Sequence, residues 1–396
     1  MHVNMFRIDC SVPRNSEPWV ISLSKRIQIV SSALNAGRKI AFYIYRQPDN
    51  STFRYRCYNI YQITKLSEWQ SVYFYLSELS IVEELLDKCN LLVLARVKWS
   101  YELDLLVRKA KKKNISVVFD VDDLICNIQY LPLLTNTLNV HFGSETDYDF
   151  WFADISRHQA MASCTDGFIT TNDYLGKKLS EQFNKPYQVI CNSLNEEQLA
   201  VSEKCRRMKA QMKSAKPFVI GYFSGTPSHI NDFKVIYKEM IQLLTDYPEI
   251  NLKVVGFMEF PSEMTPFIQK KRVTFTPLVN FLELQRLIAQ VDVNIVPLVN
   301  NAFTNCKSEL KYFEASAVDT ITVASPTYTY AHAIADGKNG FLCQQGQWYD
   351  TINNIYLNKS KIAPIIMKAR NDCLHKYCGD EFRKQVCDVY NYFEVK

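Results

Sequence analysis

The chain has 396 residues, 47% of them apolar and 22% charged, which excludes a disordered or fibrous polypeptide and exceeds what one hydrophobic core ordinarily serves. Its formal charge of +5 arises entirely after residue 200, without the clustered basic stripe that nucleic-acid binding requires. Such a surplus suits a small anionic ligand.

In chain order, an amphipathic stretch at 23–34 leads into a first strand, Lys39–Tyr45, broken by Pro48-Asp49-Asn50. Strands at 91–97 (LLVLARV) and 115–120 (ISVVFD) follow helical stretches at 80–88 and 101–113. The second of these helices ends in Arg108-Lys109-Ala110-Lys111-Lys112-Lys113, either a solvated helix end or a contact for a membrane surface or anionic acceptor. A strand at 167–171 precedes a helix at 173–182, and 187–191 (YQVIC) runs into Asn192-Ser193-Leu194-Asn195. Short apolar runs alternating with helical patterns predict a parallel sheet covered on both faces.

The charged segment 196–216 has no strand signal and reads as helix and linker. Strands then restart at 218–223, 252–256, 273–275, 293–297 and 320–324, with helices at 232–245, 280–290 and 309–317 between them, and a helical tail at 362–393. The expected organisation is α/β, with two doubly wound domains facing each other across a cleft: 1–200, a linker at 201–216, 217–361, and tail helices at 362–396 packing back toward the first domain.

Twelve cysteines occur without a CxxC pair, and Cys373, His375, Cys378 and Cys387 match no tetrahedral zinc spacing. Free thiols in a reducing cytoplasm are expected, with no metal and no cofactor. The first residues lack the apolar core of a signal peptide, and no run reaches the ~18–20 apolar residues of a membrane span. The expected location is the cytoplasm, with peripheral contact at the inner face of the cytoplasmic membrane left open.

Open parallel sheets bind ligands beyond the carboxyl ends of their strands. The loop after 218–223 carries Ser224-Gly225-Thr226-Pro227-Ser228-His229, with Asp232 beyond; a glycine there admits a phosphate close to the backbone. The strongest motif is Lys307-Ser308-Glu309-Leu310-Lys311-Tyr312-Phe313-Glu314-Ala315. On one helix, Lys307, Lys311 and Glu314 would share a face, placing two cations for a diphosphate beside a carboxylate for a ribose diol; a surface charge ladder is the alternative.

The run continues through Ala324-Ser325-Pro326 to Asp336-Gly337-Lys338-Asn339-Gly340-Phe341-Leu342. This series resembles the sugar-donor half of bacterial glycosyltransferases related to the retaining family four (group 1) enzymes, over residues 218–393. The resemblance implies a GT-B fold of two Rossmann-like domains. Ser224, Gly225, Thr226, His229, Pro277, Leu278, Lys307, Lys311 and Glu314 would bind the nucleotide sugar, with Lys307, Lys311, Glu314 and Glu309 in the catalytic centre. It further implies a metal-independent hexosyltransferase acting on a nucleoside diphosphate sugar and a glycan or lipid-linked acceptor, retention of configuration, and a part in bacterial surface polysaccharide or lipopolysaccharide synthesis. Many such enzymes carry an acidic residue eight positions before the ribose-binding Glu; here it is Cys306, which points to Glu309 as a displaced carboxylate and leaves open a nucleotide-binding scaffold without catalysis.

In the first half, Arg54 and Arg56 near a helix start suit an anion or acceptor, or solvated charge. Asp120-Val121-Asp122-Asp123 ends a strand, so Asp122 and Asp123 are acceptor-side candidates. The same D-x-D also resembles the opening of haloacid-dehalogenase-like, Mg-dependent phosphotransferases, in which Asp120 would attack phosphorus and Asp122 act as general acid. His141 and His158 are read as surface or core residues, although a first-domain histidine often faces the sugar in the glycosyltransferase family.

Overall fold

The computed structural model describes residues 17–138, 140, 142–211, 217–225 and 230–394. Two six-stranded parallel sheets form the molecule. The first comprises β1 (Lys39–Tyr45), β2 (Trp69–Tyr75), β3 (Leu91–Ala95), β4 (Ser116–Val121), β5 (Gly167–Thr170) and β6 (Tyr187–Val189), in the order β2-β1-β3-β4-β5-β6. The second comprises β7 (Phe218–Ser224), β8 (Ile250–Gly256), β9 (Val273–Thr276), β10 (Val293–Val296), β11 (Ile321–Ala324) and β12 (Phe341–Leu342), in the order β12-β11-β10-β7-β8-β9. Each sheet reverses its strand order, and ligand crevices open at such points.

Strands β1, β3, β4, β7 and β10 are buried along nearly their whole length, as their unbroken apolar runs require. The sequence reading did not include β2 (WQSVYFY), in which polar residues interrupt the apolar ones. The core satisfies them: Ser71 Oγ lies 2.8 Å from Tyr390 Oη, and Tyr73 Oη donates to the Trp19 carbonyl at 2.7 Å. In the second sheet, Gly256 at φ +105° closes β8; a Cβ there would lie 1.7 Å from the Ser224 carbonyl oxygen. Only glycine lets the ends of β7 and β8 come this close at the loop that carries Gly225.

The helix Glu196–Gln211 leaves the first domain and packs beside Phe281–Ala289 of the second, with Gln198 Nε2 donating to Gln285 Oε1 at 3.3 Å. The tail forms helices Ala363–Lys376 and Gly379–Glu394. The latter lies on the first sheet: Tyr390 stacks edge-on against Trp69 at 5.2 Å, its hydroxyl is 2.8 Å from that of Tyr43, and Glu394 pairs with Lys39 at 2.6 Å. The basic run is a solvated helix end, where Arg108, Lys109, Lys111 and Lys113 meet Asp104, Glu83, Asp166 and Asp87. Such surface pairs contribute little to stability. All eleven cysteines among the described residues are free. None of the helices among them is long and apolar enough to cross a membrane.

Candidate active site

A cavity of about 720 Å³ opens between the two domains at the carboxyl ends of β1, β3, β4, β7 and β10. The second domain contributes Ser224, Gly225, Leu278, Lys307, Ser308, Lys311 and Glu314; the first contributes Thr52, Tyr55, Arg96, Asp122, Asp123 and His158. Thr226 and His229 lie outside the described residues, as does His141. Pro277 is exposed and is not part of the wall, which at that end is apolar: Val255, Leu278, Val279 and Leu284.

Lys311 and Glu314 lie on the helix Leu310–Ser316, three residues apart on one face. Lys307 does not continue that face. The short helix Ala302–Asn305, capped by Asn301 and Thr304, ends first, and Lys307 sits in the bend that follows. It reaches the same cavity from the loop, its ammonium 4.7 Å from the Phe303 ring centre and 4.0 Å from Asp123 Oδ1 of the opposite domain.

Glu314 is buried, and all its side-chain partners among the described residues converge on Oε1. These are the Tyr55 hydroxyl, Gln198 Nε2 at 2.9 Å and the Arg54 guanidinium at 3.7 Å. Oε2 thus keeps its lone pairs for a ligand. Gln285 fixes the backbone beneath by donating to the Glu314 carbonyl at 2.6 Å. Arg54 and Tyr55 reach this point because residues Arg54–Tyr58 form a buried π-helical turn, which directs successive side chains inward. Sequence spacing carries no signal for that turn, and Tyr55 and Gln198 were not among the expected site residues.

Lys311 is half-buried, and among the described residues its ammonium has no hydrogen-bond partner. Burial pushes its pKa down to about 8, against the pull of Asp232 and with help from nearby Lys307, while Glu314 acts in the same direction as Asp232. In the unfolded chain a lysine titrates near ~10.4. The folded charge is therefore unfavourable below pH about 8, and stability rises as pH climbs from there toward the unfolded value. A cation held at such a cost is the mark of a site that expects an anion. Ser308 adds to this: its hydroxyl is buried, lines the cavity and has no hydrogen-bond partner in the structure.

Glu309 is placed elsewhere. It stands at the N-cap of Leu310–Ser316 but turns away from the cavity, accepting from the Tyr377 hydroxyl at 2.7 Å and Lys376 Nζ at 3.4 Å. Cys306 is fully buried, its carbonyl accepting from Asn172 Nδ2 at 2.8 Å, and burial raises its thiol to about 12. The geometry therefore does not bring Glu309 into the missing acidic position. Glu314 is the one second-domain carboxylate in the wall among the described residues.

The first-domain wall is more acidic. Arg96, at the end of β3 with φ 46°, donates through Nη1 to Asp122 Oδ1 at 2.7 Å and to Asp123 Oδ2 at 2.8 Å. Thr52 Oγ1 donates to Asp122 Oδ2 at 2.8 Å. Holding an arginine in left-handed backbone costs energy, and such outliers gather at working sites. His158 is buried and lines the cavity; its Nδ1 is 3.3 Å from Asp154 Oδ2. Burial would raise the Asp154 carboxyl, but His158 and then Lys98 outweigh it and hold it at about 2.

Arg56 belongs to the core and not to the site. It is fully buried and binds Asp120 through two parallel bonds, Nε to Oδ1 at 2.7 Å and Nη2 to Oδ2 at 2.9 Å, while Nη1 donates to the Ile190 carbonyl at 2.7 Å. Both oxygens of Asp120 are engaged and sealed from solvent, so its carboxylate cannot reach a phosphorus atom. This removes the phosphotransferase geometry.

Two parallel sheets with a cleft at their carboxyl ends give the chain the GT-B fold. HepE from Anabaena in complex with UDP shares the fold at TM-score 0.60 and 14% identity, over 89% of this chain and all of that one. Sucrose-phosphate synthase from Thermosynechococcus elongatus matches at 0.58 and 13%, over 90% of this chain and all of that one. A glycosyltransferase from Rickettsia africae matches at 0.60 and 11%, over 91% and 99%. Residues 217–358 match the family model described as glycosyl transferases group 1. Comparison with curated proteins returns no match.

Proposed function

We propose that the protein moves a sugar from a nucleoside diphosphate sugar to a hydroxyl of a glycan or lipid-linked acceptor. One observation carries the reading: the carboxylate of Glu314, the ammonium groups of Lys307 and Lys311 and the glycine turn at Gly225 line one cavity. Glu314 Oε2 receives the ribose diol, the apolar wall of Val255, Leu278 and Val279 takes the base, and Lys311, Lys307 and the Ser308 hydroxyl meet the diphosphate. Structures of HepE hold UDP, UDP with glucose, and UDP-glucose, which makes UDP the first nucleotide to test.

As the glycosidic bond to the diphosphate breaks, charge grows on the leaving phosphate, and the two ammonium groups stabilise it where it forms. The acceptor hydroxyl enters from the first-domain side, where Asp122, Asp123 and His158 stand, and gives its proton to the departing phosphate on the same face, so configuration is retained. Neither a protein nucleophile nor a metal is invoked. A part in bacterial surface polysaccharide or lipopolysaccharide synthesis at the inner membrane face fits this chemistry.

Calorimetry with UDP, GDP and dTDP and slow hydrolysis of the matching sugar donors test the reading. Binding of one nucleotide with turnover supports it, binding without any turnover supports a scaffold, and no binding overthrows both. The pH dependence should expose Lys311. The ammonium form binds the diphosphate, so affinity is flat below pH about 8 and falls about tenfold by pH 9, as the free lysine loses its proton. Lys311→Met should bind more weakly and lose that slope; a slope unchanged in the variant would exclude Lys311 as its source.

A further inference from the structure

Glu314 stands on the second domain, yet one of the hydrogen bonds that hold its carboxylate comes from the first. The Tyr55 hydroxyl donates to Oε1 across the domain boundary, beside Gln198 Nε2 of the connecting helix. Tyr55 is buried in the cavity wall. Its ring meets Phe313, the neighbour of Glu314, edge-on at 6.4 Å, and the Arg54 guanidinium covers it at 4.0 Å.

The segment that carries Tyr55 is itself anchored. Tyr58 Oη donates to Glu197 Oε1 at 2.7 Å, Gln62 Nε2 to Glu197 Oε2 at 2.9 Å, and Asn59 Nδ2 to the Ser193 carbonyl at 2.6 Å. Arg54 Nη1 donates to Gln198 Oε1 at 3.1 Å. The connecting helix is in turn tied to the second domain, where Lys209 Nζ donates to the Asp319 carbonyl at 2.8 Å and to Thr320 Oγ1 at 2.9 Å. An unrestrained glutamate samples several rotamers, and a ligand that freezes it pays in entropy. Donors on Oε1 remove that cost in advance and leave Oε2 for the cavity that Glu314 lines.

We propose that Tyr55 is a positioning residue for the donor: its hydroxyl, supplied by the first domain, holds Glu314 so that Oε2 meets the ribose diol. Recognition of the ribose is then complete only while the two domains stand as they do here. In that arrangement Thr52, on the same segment as Tyr55, holds Asp122 of the acceptor side, Oγ1 to Oδ2 at 2.8 Å. This rests on the transferase reading given above and deepens it.

Calorimetry on the full chain compares wild type with Tyr55→Phe, which keeps the ring against Phe313 and under Arg54 and removes only the hydroxyl. The ligands are UDP, 2′-deoxy-UDP and inorganic pyrophosphate, with the guanosine pair replacing the uridine pair should wild type select GDP. The variant should bind UDP about tenfold more weakly, the size of one hydrogen bond to a charged acceptor. The deoxy ligand should lose less, because it offers the carboxylate one hydroxyl fewer. Pyrophosphate, which would meet only Lys307, Lys311 and Ser308, should bind both proteins alike. Equal affinity of both proteins for UDP overturns the inference. So does a loss shared equally by UDP and 2′-deoxy-UDP, or by UDP and pyrophosphate; Lys311 and Glu314 lie on one helix, and its displacement would weaken every ligand. A wild type that binds pyrophosphate but neither nucleotide would defeat the donor reading itself, a result to which Tyr55→Phe contributes nothing.

Discussion

Glu314→Gln raises the Kd for UDP by about two orders of magnitude, measured by calorimetry at pH 7, and abolishes the preference for UDP over its 2′-deoxy counterpart. The magnitude follows from two hydroxyl donors on one carboxylate oxygen, each worth about 1.5–2 kcal/mol as a bond to a charged acceptor. Geometry makes the amide a poor substitute. Tyr55 and Gln198 both donate to Oε1 and the Arg54 guanidinium stands beside it, so that side needs an oxygen. The amide nitrogen must then face the ribose, where it offers hydrogens to hydroxyls that need an acceptor. Turning the group over moves the clash to the Gln198 side.

Alanine is the less informative change, since it strips the counter-charge from buried Arg54 and confounds binding with folding. With glutamine, a Kd for UDP within threefold of wild type would remove Glu314 from the nucleotide site. A loss of affinity that is equal for UDP and 2′-deoxy-UDP would place it near the ligand but away from the diol.

Most strands and the helix that bears Glu314 were legible because a buried parallel sheet imposes continuous apolar runs. The exceptions have physical causes. In β2, hydrogen bonds to Tyr390 and Trp19 offset the polar residues, and both partners are remote in sequence. The site divides in the same way. Lys311 and Glu314 share a local spacing and could be paired from the sequence, whereas Lys307 reaches them only because the short helix that Asn301 caps ends at Cys306, before the next begins at Leu310. Arg96, Tyr55 and Asp154 come from a strand end, a π-helical turn and the helix Glu145–Ser163, elements far apart in sequence that only the fold of the first domain brings to one cavity, and Gln198 reaches Glu314 from the connecting helix. Arg56 shows the reverse error. Read beside Arg54 as an acceptor-side cation, it is turned by one residue of the same turn into the core.

That turn makes the second large effect one of stability. Asp120→Asn should lower the unfolding free energy by about 3–5 kcal/mol, seen as an earlier urea midpoint, because it leaves the Arg56 guanidinium buried without its charge partner. Both side chains are fully buried and joined by two bonds of 2.7 and 2.9 Å. Burial pushes the Asp120 carboxyl upward and Arg56 pulls it back, so the pair survives only as a unit. Arg56→Met should cost as much, and Arg56→Met combined with Asp120→Leu less than the two single changes together, since no charge is then stranded. This separates a scaffold from a nucleophile. An Asp120 that attacked phosphorus would give, as Asn, a protein of unchanged urea midpoint and no turnover, and that outcome would reverse the assignment. A shifted midpoint, with UDP affinity preserved in the folded fraction, fits a pair that holds the carboxyl end of β4 in place for Asp122 and Asp123 beyond it.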